Sequence, residues 1–403
     1  MKKNNYLIIF SITLLGALVA CGGEEVSSYL NDIEVVSKGN EIVLKGNISL
    51  SDAKQIAMQF MSENNTSSLR TGKSNEITSI ELFIDNKDTL LYLMNFTDGF
   101  TLISGSSVTY PILAFADQNN IYKDDIKNNS ELMFWIENMK EQIKESLSDT
   151  AAIMNDPLSW ENTPESLTRS RVGQSGKSSG RIGEELCLIK TNWSQGPPFN
   201  NFCPSVGSKY LNGKAPAGCV AIAIGQIIFY HKKFSCNYTP IWSLLEDPIK
   251  NPDEIAKFIK TIGDGVSMVY KKDGSYPALA TKIGIYDGPK DFLKLAGYNV
   301  KSSNFSLTEL VSQLDKKNPV YISGYKDTDI FNIPNIAAGH AWVCDGYEKV
   351  AVQNNRSGRS SGPRRESSGT RSSSTYSRTI YYLHFNWGWD GTHNGWFADG
   401  ETL

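Results

Sequence analysis

A short polar stretch near the middle of the chain limits what this protein can fold into. Residues 166–181 read SLTRSRVGQSGKSSGR and hold almost no apolar side chains, so we expect them to be exposed and flexible. Exposed basic segments of this kind are also sites where proteases cut. The stretch is therefore predicted to separate two folded parts, either as a plain linker or as an activation segment, and both can hold at once.

The composition is that of a globular protein with more than one domain. The chain has 403 residues, of which 40% are apolar and 21% charged, enough for two or three domains with substantial cores. The net charge of −3 indicates neither a nucleic acid partner nor an acidic substrate. We therefore expect no nucleic acid partner.

The N-terminus has the pattern of an export signal. Two lysines precede an apolar run, Tyr6 to Ala20, that is too short to cross a bilayer and is typical of a secretory signal. The run ends in Leu18-Val19-Ala20-Cys21, which resembles the bacterial lipobox, where the signal is cut before a cysteine that then carries the lipid. We expect a signal peptide over residues 1–20, a lipidated Cys21 with a tether over 21–48, and an exported lipoprotein anchored in a bacterial membrane, periplasmic or at the cell surface. The alternative is ordinary secretion with Cys21 as a spare thiol.

Two helical patterns flank a hairpin in the first folded part, residues 49–147. Ser49 and Asp52 have the spacing of a capping box, and apolar residues then recur at helical intervals. Asp98-Gly99 is a strong turn signal between two strand-like runs, and a second amphipathic helix pattern follows. These elements predict a compact α+β unit, followed by a linker or activation segment at 148–181.

The second part, residues 182–403, is rich in aromatic residues and glycine. Its strand-like runs gather towards the C-terminal end and are interrupted at residues 353–378, where six arginines stand against one glutamate among mostly Ser and Gly. Such a stretch cannot build a core, so we predict a disordered basic loop between two strands.

The chain holds six cysteines, and export would permit disulfides. With Cys21 lipidated and one thiol kept free, the remaining four allow three pairings; they are Cys187, Cys203, Cys236 and Cys344. The chain has no Cys-x-x-Cys pair and no histidine at metal-ligand spacing from a cysteine. We therefore expect no metal site and no cofactor.

Cys219 begins a long apolar run, CVAIAIGQIIFYH, that contains no proline and is predicted to be a buried helix. Gly218 just before it lets the backbone turn sharply and lets a substrate chain come close. A thiol in the first helical turn feels the positive end of the helix dipole, which favours the nucleophilic thiolate. From this segment alone a buried structural cysteine is the better interpretation, and a disulfide to Cys236 or Cys344 is a further alternative.

A cysteine nucleophile needs an imidazole base, and the chain has four histidines. His231 closes the same helix as Cys219, about 18 Å away at about 1.5 Å per residue, which is too far for proton transfer. His384 lies in a strand run with its role open, and His393 lies in a turn. His340 follows small residues in NIAAGHAWVCDGY, which leave room for a substrate beside the ring, so it is the candidate base.

Three further residues complete the candidate site. Asn386 ends a strand run and is the candidate for fixing the orientation of the imidazole, with Trp387 covering their hydrogen bond from water. Asp345 competes for the orienting role, but it directly precedes a glycine and is typical of a turn. Gln195, before a Gly-Pro-Pro turn, is the candidate side-chain donor to an oxyanion.

Four segments, in this order, resemble the papain-like cysteine peptidases, and most closely the streptopain family of bacterial secreted proteases: NWSQGPPFN, AGCVAIAIGQIIFYH, AGHAWVCDGY and NWGWDGTHNGWF. The resemblance covers roughly residues 182–403, and residues 49–145 are more loosely similar to the family's inhibitory prodomain. It implies an α+β fold: a papain-like domain, whose helical part carries Cys219 and whose antiparallel sheet part carries His340 and Asn386, preceded by a small α+β prodomain.

The resemblance also implies roles and partners. Cys219 is the nucleophile, His340 the general base and acid, Gln195 the oxyanion donor, Asn386 the imidazole orienter and Trp387 its shield. The implied partners are polypeptide substrates and the chain's own prodomain, which acts as an intramolecular inhibitor, and no cofactor is implied. The membrane is a further expected partner, through the lipid on Cys21. Cleavage of the linker would release the mature enzyme from its anchor.

Two other functions fit parts of the pattern. One is a surface lipoprotein that binds or inhibits proteases through an inactive papain-like half; it predicts a degraded site, and all four site positions are intact. The other is a Cys-His-acid acyltransferase of the transglutaminase type. Asn386-Trp387 disfavours it, and an orienting Asp345 would revive it.

Overall fold

The computed structural model describes most of the two folded parts. The described residues are 6–13, 47–64, 76–107, 109–148, 187–207, 211–272, 274–277, 288–325, 339–355 and 375–399. Cys21, nearly all of the tether, the linker and most of the basic loop at 353–378 lie outside them.

The described residues form seven helices and twelve strands. The helices are α1 (Leu50–Asn64), α2 (Lys123–Asn128), α3 (Ser130–Ser148), α4 (Cys219–His231), α5 (Pro252–Gly265), α6 (Gly288–Leu295) and α7 (Leu307–Asp315). The strands are β1 (Tyr6–Thr13), β2 (Ile77–Asp85), β3 (Asp88–Phe96), β4 (Phe100–Ser104), β5 (Ile112–Ala116), β6 (Met268–Lys271), β7 (Gly274–Pro277), β8 (Asn299–Asn304), β9 (Val320–Tyr325), β10 (His340–Asn355), β11 (Thr375–Asn386) and β12 (Gly395–Ala398). This content confirms the predicted α+β class.

One sheet joins the N-terminal part (residues 47–148) to the C-terminal part (residues 187–399). Its strand order is β2-β3-β4-β5-β12-β11-β10-β9-β1-β8, and β6 and β7 form a separate pair. At the junction, β5 and β12 are antiparallel, with Phe115 opposite Trp396 and Ala114 opposite Phe397. The two parts that the polar stretch separates in sequence are therefore joined edge to edge by main-chain hydrogen bonds.

Strand β1 lies parallel between β8 and β9. It consists of residues inside the predicted signal peptide, so removal of residues 1–20 would take this strand out of the sheet. The signal peptide itself stays a prediction. Within the described part of the chain, none of the helices combines the length and the apolar character needed to span a bilayer.

The helix, hairpin and helix predicted for the N-terminal part are confirmed. β3 and β4 form the hairpin, and Gly99 occupies its turn at φ +90°. A Cβ on Gly99 would lie 2.1 Å from the Ala116 carbonyl oxygen, so the close approach of β5 requires glycine there. α1 packs on one face of these strands, through residues such as Phe60, and α3 packs on the other, through residues such as Trp135.

Helix α4 is the buried helix expected from the apolar run. Every residue from Cys219 to Ile228 is buried, because apolar side chains cover nearly every face of the helix. Gly225 permits close packing: a Cβ there would lie 2.7 Å from Ile259 Cδ1 of α5 and 3.3 Å from the Trp193 ring. The core therefore holds α4 on several sides at once.

Strands β9 and β10 are buried on both faces. Alternation along the strands sends Ala341 and Val343 into the hydrophobic cluster that contains α4, and it sends Ile322 and Trp342 into the cluster that contains α3. Strands β9 and β10 therefore form a middle layer between α4 on one face and α3 on the other. The N-terminal part thereby lies against the strand that begins with His340.

His231, at the end of α4, is held as a neutral imidazole. Burial lowers its pKa to about 4, and Lys233 adds to the effect. Its Nε2 has no hydrogen-bond partner among the described residues. The sequence placed this histidine at the negative end of the helix dipole, which favours a cation, but desolvation outweighs that attraction.

Acidification should destabilise the protein partly through His231. Because its pKa in the folded state lies below the ordinary value of 6.5, its contribution to stability is complete above pH 6.5 and is lost as the pH falls towards 4. Between pH 6.5 and pH 4 the free energy of unfolding should fall less for His231→Asn than for the wild-type protein, by up to about 3 kcal/mol. Urea unfolding of both proteins across this range measures the difference. An identical pH dependence in the two would contradict the assignment.

Candidate active site

The turn before α4 is built so that Cys219 stands at the first helical position. Gly218 has φ +94°, and a Cβ there would lie 2.0 Å from Met268 Cε and 3.2 Å from the Ser275 carbonyl oxygen. Ser275 Oγ in turn donates to the Pro216 carbonyl over 2.7 Å. The backbone is thus fixed from both sides, and Cys219, 9% exposed, lies among the unsatisfied amides of the helix N-terminus.

Gln195 is attached to the same turn. Its carbonyl accepts a hydrogen bond from the Ala217 amide over 2.9 Å, and the residue is 9% exposed. Two residues earlier, Trp193 packs against Phe199 and Phe229. The structure therefore bonds the main chain of Gln195 to the turn that precedes Cys219, and its role as oxyanion donor stays a prediction.

His340 begins β10 and lies opposite Gly324 of β9. Residues directly opposite each other in a sheet share a face, and a Cβ on Gly324 would lie 2.9 Å from Phe134 Cε1 of α3 and 3.3 Å from Trp342 Cη2. His340 thus occupies a register position on the α3 side, whereas Cys219 belongs to the cluster on the α4 side. Burial lowers the pKa of His340 to about 4, which keeps the imidazole neutral.

Asn386 is fixed by a buried network of amides. Its Oδ1 accepts from Gln226 Nε2 of α4 over 3.1 Å and from the Gly388 amide over 3.1 Å. Its Nδ2 donates to the Thr191 carbonyl over 2.9 Å. The residue is 2% exposed, so the network ties the end of β11 to α4, the helix that begins with Cys219. Its role as orienter of His340 stays a prediction.

Trp387 is fully buried in the cluster on the α3 side, next to Trp342, Phe385 and Phe397. Its Nε1 donates to the His393 carbonyl over 3.0 Å. Trp387 and Cys219 therefore lie in different clusters, and the shielding role of Trp387 stays a prediction.

A second group of cysteine, histidine and carboxylate lies beside this site, and the sequence did not predict it. Candidate ligand atoms of Cys187, Asp345 and His384 all lie within 4.8 Å of one another. The Asp345 carboxylate is 2.6 Å from His384 Nδ1 and accepts from the Ile189 amide over 2.8 Å. The residues are far apart in sequence, so no local spacing links them.

The prediction that Asp345 is a turn residue is wrong. Asp345 is the extra residue of a β-bulge where the pairing of β10 with β11 shifts, and the bulge buries its side chain completely. Its two oxygens contact His384 and Ile189, so the histidine it orients is not His340. The acyltransferase alternative therefore loses the observation that would have revived it.

The charges of this second group differ from those at His340. Burial alone would lower the pKa of His384, but Cys187 and Asp345 together raise it well above its ordinary value. Burial raises the pKa of the Cys187 thiol, although His384 opposes the shift. The charges around His384 thus outweigh the effect of burial on its pKa, whereas at the Cys187 thiol burial is the larger effect.

A cavity of about 180 Å³ lies beside the second group. It is lined by Cys187, His384 and Asn386, and by residues 116–119 of the N-terminal part. His384 and Asn386 are two residues apart on β11 and therefore share a face of the strand, and both line this cavity.

All five cysteines that the structure describes are free thiols: Cys187, Cys203, Cys219, Cys236 and Cys344. The alternative of a disulfide between Cys219 and Cys236 or Cys344 is therefore wrong.

Comparison with protein families matches both parts of the chain. The model described as the Spi protease inhibitor matches residues 45–143, and the model of the peptidase C10 family matches residues 193–240 and 233–397. The two ranges of the peptidase C10 match together span residues 193–397, about half of the 403 residues.

Individual relatives agree with these matches. The thiol protease/hemagglutinin PrtT of Porphyromonas gingivalis is 22% identical over 387 residues, which are 87% of this chain and 38% of that protein, so the chain spans well under half of its length. Streptopain of Streptococcus pyogenes is 21% identical over 391 residues, 86% of this chain and 83% of streptopain.

A solved structure shows the same fold. A fragment of prointerpain A from Prevotella intermedia superposes with a TM-score of 0.50 at 18% identity, covering 81% of this chain and 92% of the fragment. With an inhibitor-like domain ahead of a domain that holds a free cysteine at a helix N-terminus, the chain belongs to the peptidase C10 family, the streptopain family of cysteine endopeptidases.

Proposed function

We propose that the chain is the lipid-anchored zymogen of an endopeptidase in which Cys219 attacks the peptide carbonyl and His340 transfers the proton. The observation that carries the proposal is the placement of Cys219 at the first position of a buried helix, with Gln195 bonded to the turn before it. The helix dipole and the free amides favour both the thiolate and the negative oxygen of the tetrahedral intermediate.

The proposed reaction is acyl transfer. The Cys219 thiolate forms a bond to the carbonyl carbon, while the carbonyl oxygen takes the negative charge and is held by the Cys219 amide and the Gln195 side chain. The His340 imidazolium gives its proton to the amine as the C–N bond breaks, leaving a thioester. His340 then takes a proton from water, which hydrolyses the thioester and frees the thiol. One oxyanion donor commonly contributes about 2.7–4 kcal/mol to such a step.

The N-terminal part is proposed to keep the zymogen latent through α3. The register position of His340 lies on the face covered by Phe134, opposite the cluster of Cys219. With a pKa near 4, the His340 imidazole is neutral at pH 7 and lacks the positive charge that would stabilise a Cys219 thiolate. Withdrawal of α3 after cleavage removes this cover, so that His340 turns towards Cys219.

Asn386 is proposed to orient His340 after that movement. Its Oδ1 already accepts two hydrogen bonds, from Gln226 and Gly388. Because a carbonyl oxygen has two lone pairs, binding the imidazole N–H requires that one of these bonds be given up. Maturation therefore includes a local exchange of hydrogen bonds at the end of β11.

Cys21 is proposed to anchor the exported precursor, with the sequence Leu18-Val19-Ala20-Cys21 as support. In cells expressing the precursor, Cys21→Ala should abolish the incorporation of labelled palmitate, because the acylated thiol is lost. The comparison is made in a Cys219→Ala background, so that cleavage of the linker does not remove the label. Palmitate on the Cys21→Ala protein would contradict the proposal.

Cys219→Ala should accumulate as the full-length precursor and fail to react with the cysteine-protease inhibitor E-64, because both processes need the thiolate. Cys203→Ala, which removes another buried thiol near α4, is the matched control and should mature and react normally. Mass mapping of the E-64 adduct on the processed wild-type protein locates the nucleophile. An adduct at any residue except Cys219 would overturn the proposed function.

Gly218→Ala should reduce peptidase activity on the order of 100-fold, because alanine is strained at φ +94° and its Cβ would lie 3.2 Å from the Ser275 carbonyl oxygen, which displaces Cys219 by about 1 Å. Gly207→Ala is the control: Gly207 also has positive φ, at +69°, but a Cβ there meets nothing within 4 Å. The rate of E-64 labelling measures the loss, and circular dichroism checks the fold. Equal labelling rates for the two variants would show that the turn does not position the thiol.

A further inference from the structure

We propose that Cys187 and His384 bind a thiophilic divalent cation, Zn²⁺ being the best fit, with Asp345 holding the histidine ring in place. This site lies outside the residues that act on the peptide bond, and the inference does not rest on the proposed function. Thiolate and imidazole are the ligand types that zinc prefers in proteins.

The hydrogen bond between Asp345 and His384 decides which atoms are ligands. Asp345 Oδ1 lies 2.6 Å from His384 Nδ1, whereas two ligands of one tetrahedral zinc are roughly 3.4 Å apart for metal–ligand distances of about 2.0–2.1 Å. Asp345 is therefore a hydrogen-bond acceptor and not a ligand. It holds the proton on Nδ1, and loss of the Nε2 proton on binding frees the Nε2 lone pair for the metal, the arrangement in which a carboxylate supports a metal-bound histidine.

Main-chain hydrogen bonds hold the thiol at a fixed separation from the ring. Asp345 accepts from the Ile189 amide at its carboxylate over 2.8 Å and from the Leu188 amide at its carbonyl over 3.0 Å. The two residues that follow Cys187 are thus bonded to the residue that orients His384. Because these bonds form without any metal, both ligands are placed before an ion arrives.

The adjoining cavity supplies the remaining coordination positions. Its wall carries the side-chain amides of Asn192, Asn386 and Asn394 beside Cys187 and His384. Its volume of about 180 Å³ exceeds the roughly 30 Å³ that one water occupies in the liquid, so water molecules complete the shell. Four of the lining residues are exposed and give the ion a path from solvent: Gln118, Asn119, Lys190 and Asp390.

The site lies at the seam between the two parts of the chain. Residues 116–119 of the N-terminal part form one wall of the cavity, and Asn119 Nδ2 donates to the Gly391 carbonyl across the seam over 3.2 Å. Binding replaces the S–H bond of Cys187 with an S–Zn bond and the Nε2–H bond of His384 with an N–Zn bond, and both protons pass to solvent. A cation bound only by the folded precursor should also raise its melting temperature.

The test uses the full-length Cys219→Ala protein, so that the catalytic thiol cannot bind the ion and the chain cannot cleave itself. Addition of Co²⁺ should produce the near-ultraviolet charge-transfer absorption of a cobalt–thiolate bond, and Zn²⁺ should remove it by competition. Cys187→Ser in this background should abolish the absorption. Cys203→Ser, at another buried thiol of the C-terminal part, should retain it.

A parent protein without the absorption, or a Cys187→Ser protein that keeps it, would overturn the inference. X-ray absorption of the zinc-loaded parent gives a second reading that does not depend on the folding of the Cys187→Ser variant. It should show one sulfur at about 2.3 Å and nitrogen or oxygen at about 2.0–2.2 Å. A shell with no sulfur, or with more than one, would exclude the site.

Discussion

The packing of α4 against strand β10 is the contact on which the rest of the structure depends. The helix is apolar on nearly every face, so it is stable only when it is enclosed, and Ala341 and Val343 of β10 form part of that enclosure. This contact fixes the position of the helix N-terminus and so of Cys219. The opposite face of the same strand, at Trp342, is covered by α3. The two faces of β10 therefore pack against two different helices: α4, which begins with Cys219, and α3 of the inhibitor-like domain.

Two histidines on neighbouring strands show how burial acts with and without a carboxylate. At His340 burial lowers the pKa to about 4, so the ring is a neutral group on the α3 side. At His384 the same desolvation is outweighed by Cys187 and Asp345, and the pKa is raised. The residue that resembles the family's base is thus held neutral, while the histidine with the raised pKa lies in a different group.

The parts of the fold that could be predicted from sequence are those with local signals. The apolar run after Cys219 predicts a buried helix because its period and length are visible in one segment, and Asp98-Gly99 predicts a hairpin because the turn chemistry is local. Gln195 was assigned to the site only because a family resemblance set the order of the motifs, and its role stays a prediction. The sequence alone left a buried structural cysteine as the better interpretation.

Other features could not be predicted because they depend on pairing between distant segments. An aspartate before glycine signals a turn, yet at Asp345 the same dipeptide forms a β-bulge, and only the register with β11 distinguishes the two. The expectation of no metal site rested on local cysteine and histidine spacing, which is blind to Cys187 and His384 on separate segments. The face occupied by His340 likewise depends on its pairing with Gly324.

The junction of β5 with β12 makes cutting and dissociation separate events. Cleavage of the linker breaks the covalent connection but leaves the antiparallel pairing of β5 with β12 in place, with Phe115 opposite Trp396 and Ala114 opposite Phe397. When β5 does leave, β12 becomes an edge strand with unpaired amides and carbonyls, a template for any extended chain that meets it. An inhibitor-like domain that stays bound after cleavage therefore also protects the enzyme from self-association. The edge of β12 is exposed when this domain dissociates, and not when the linker is cut.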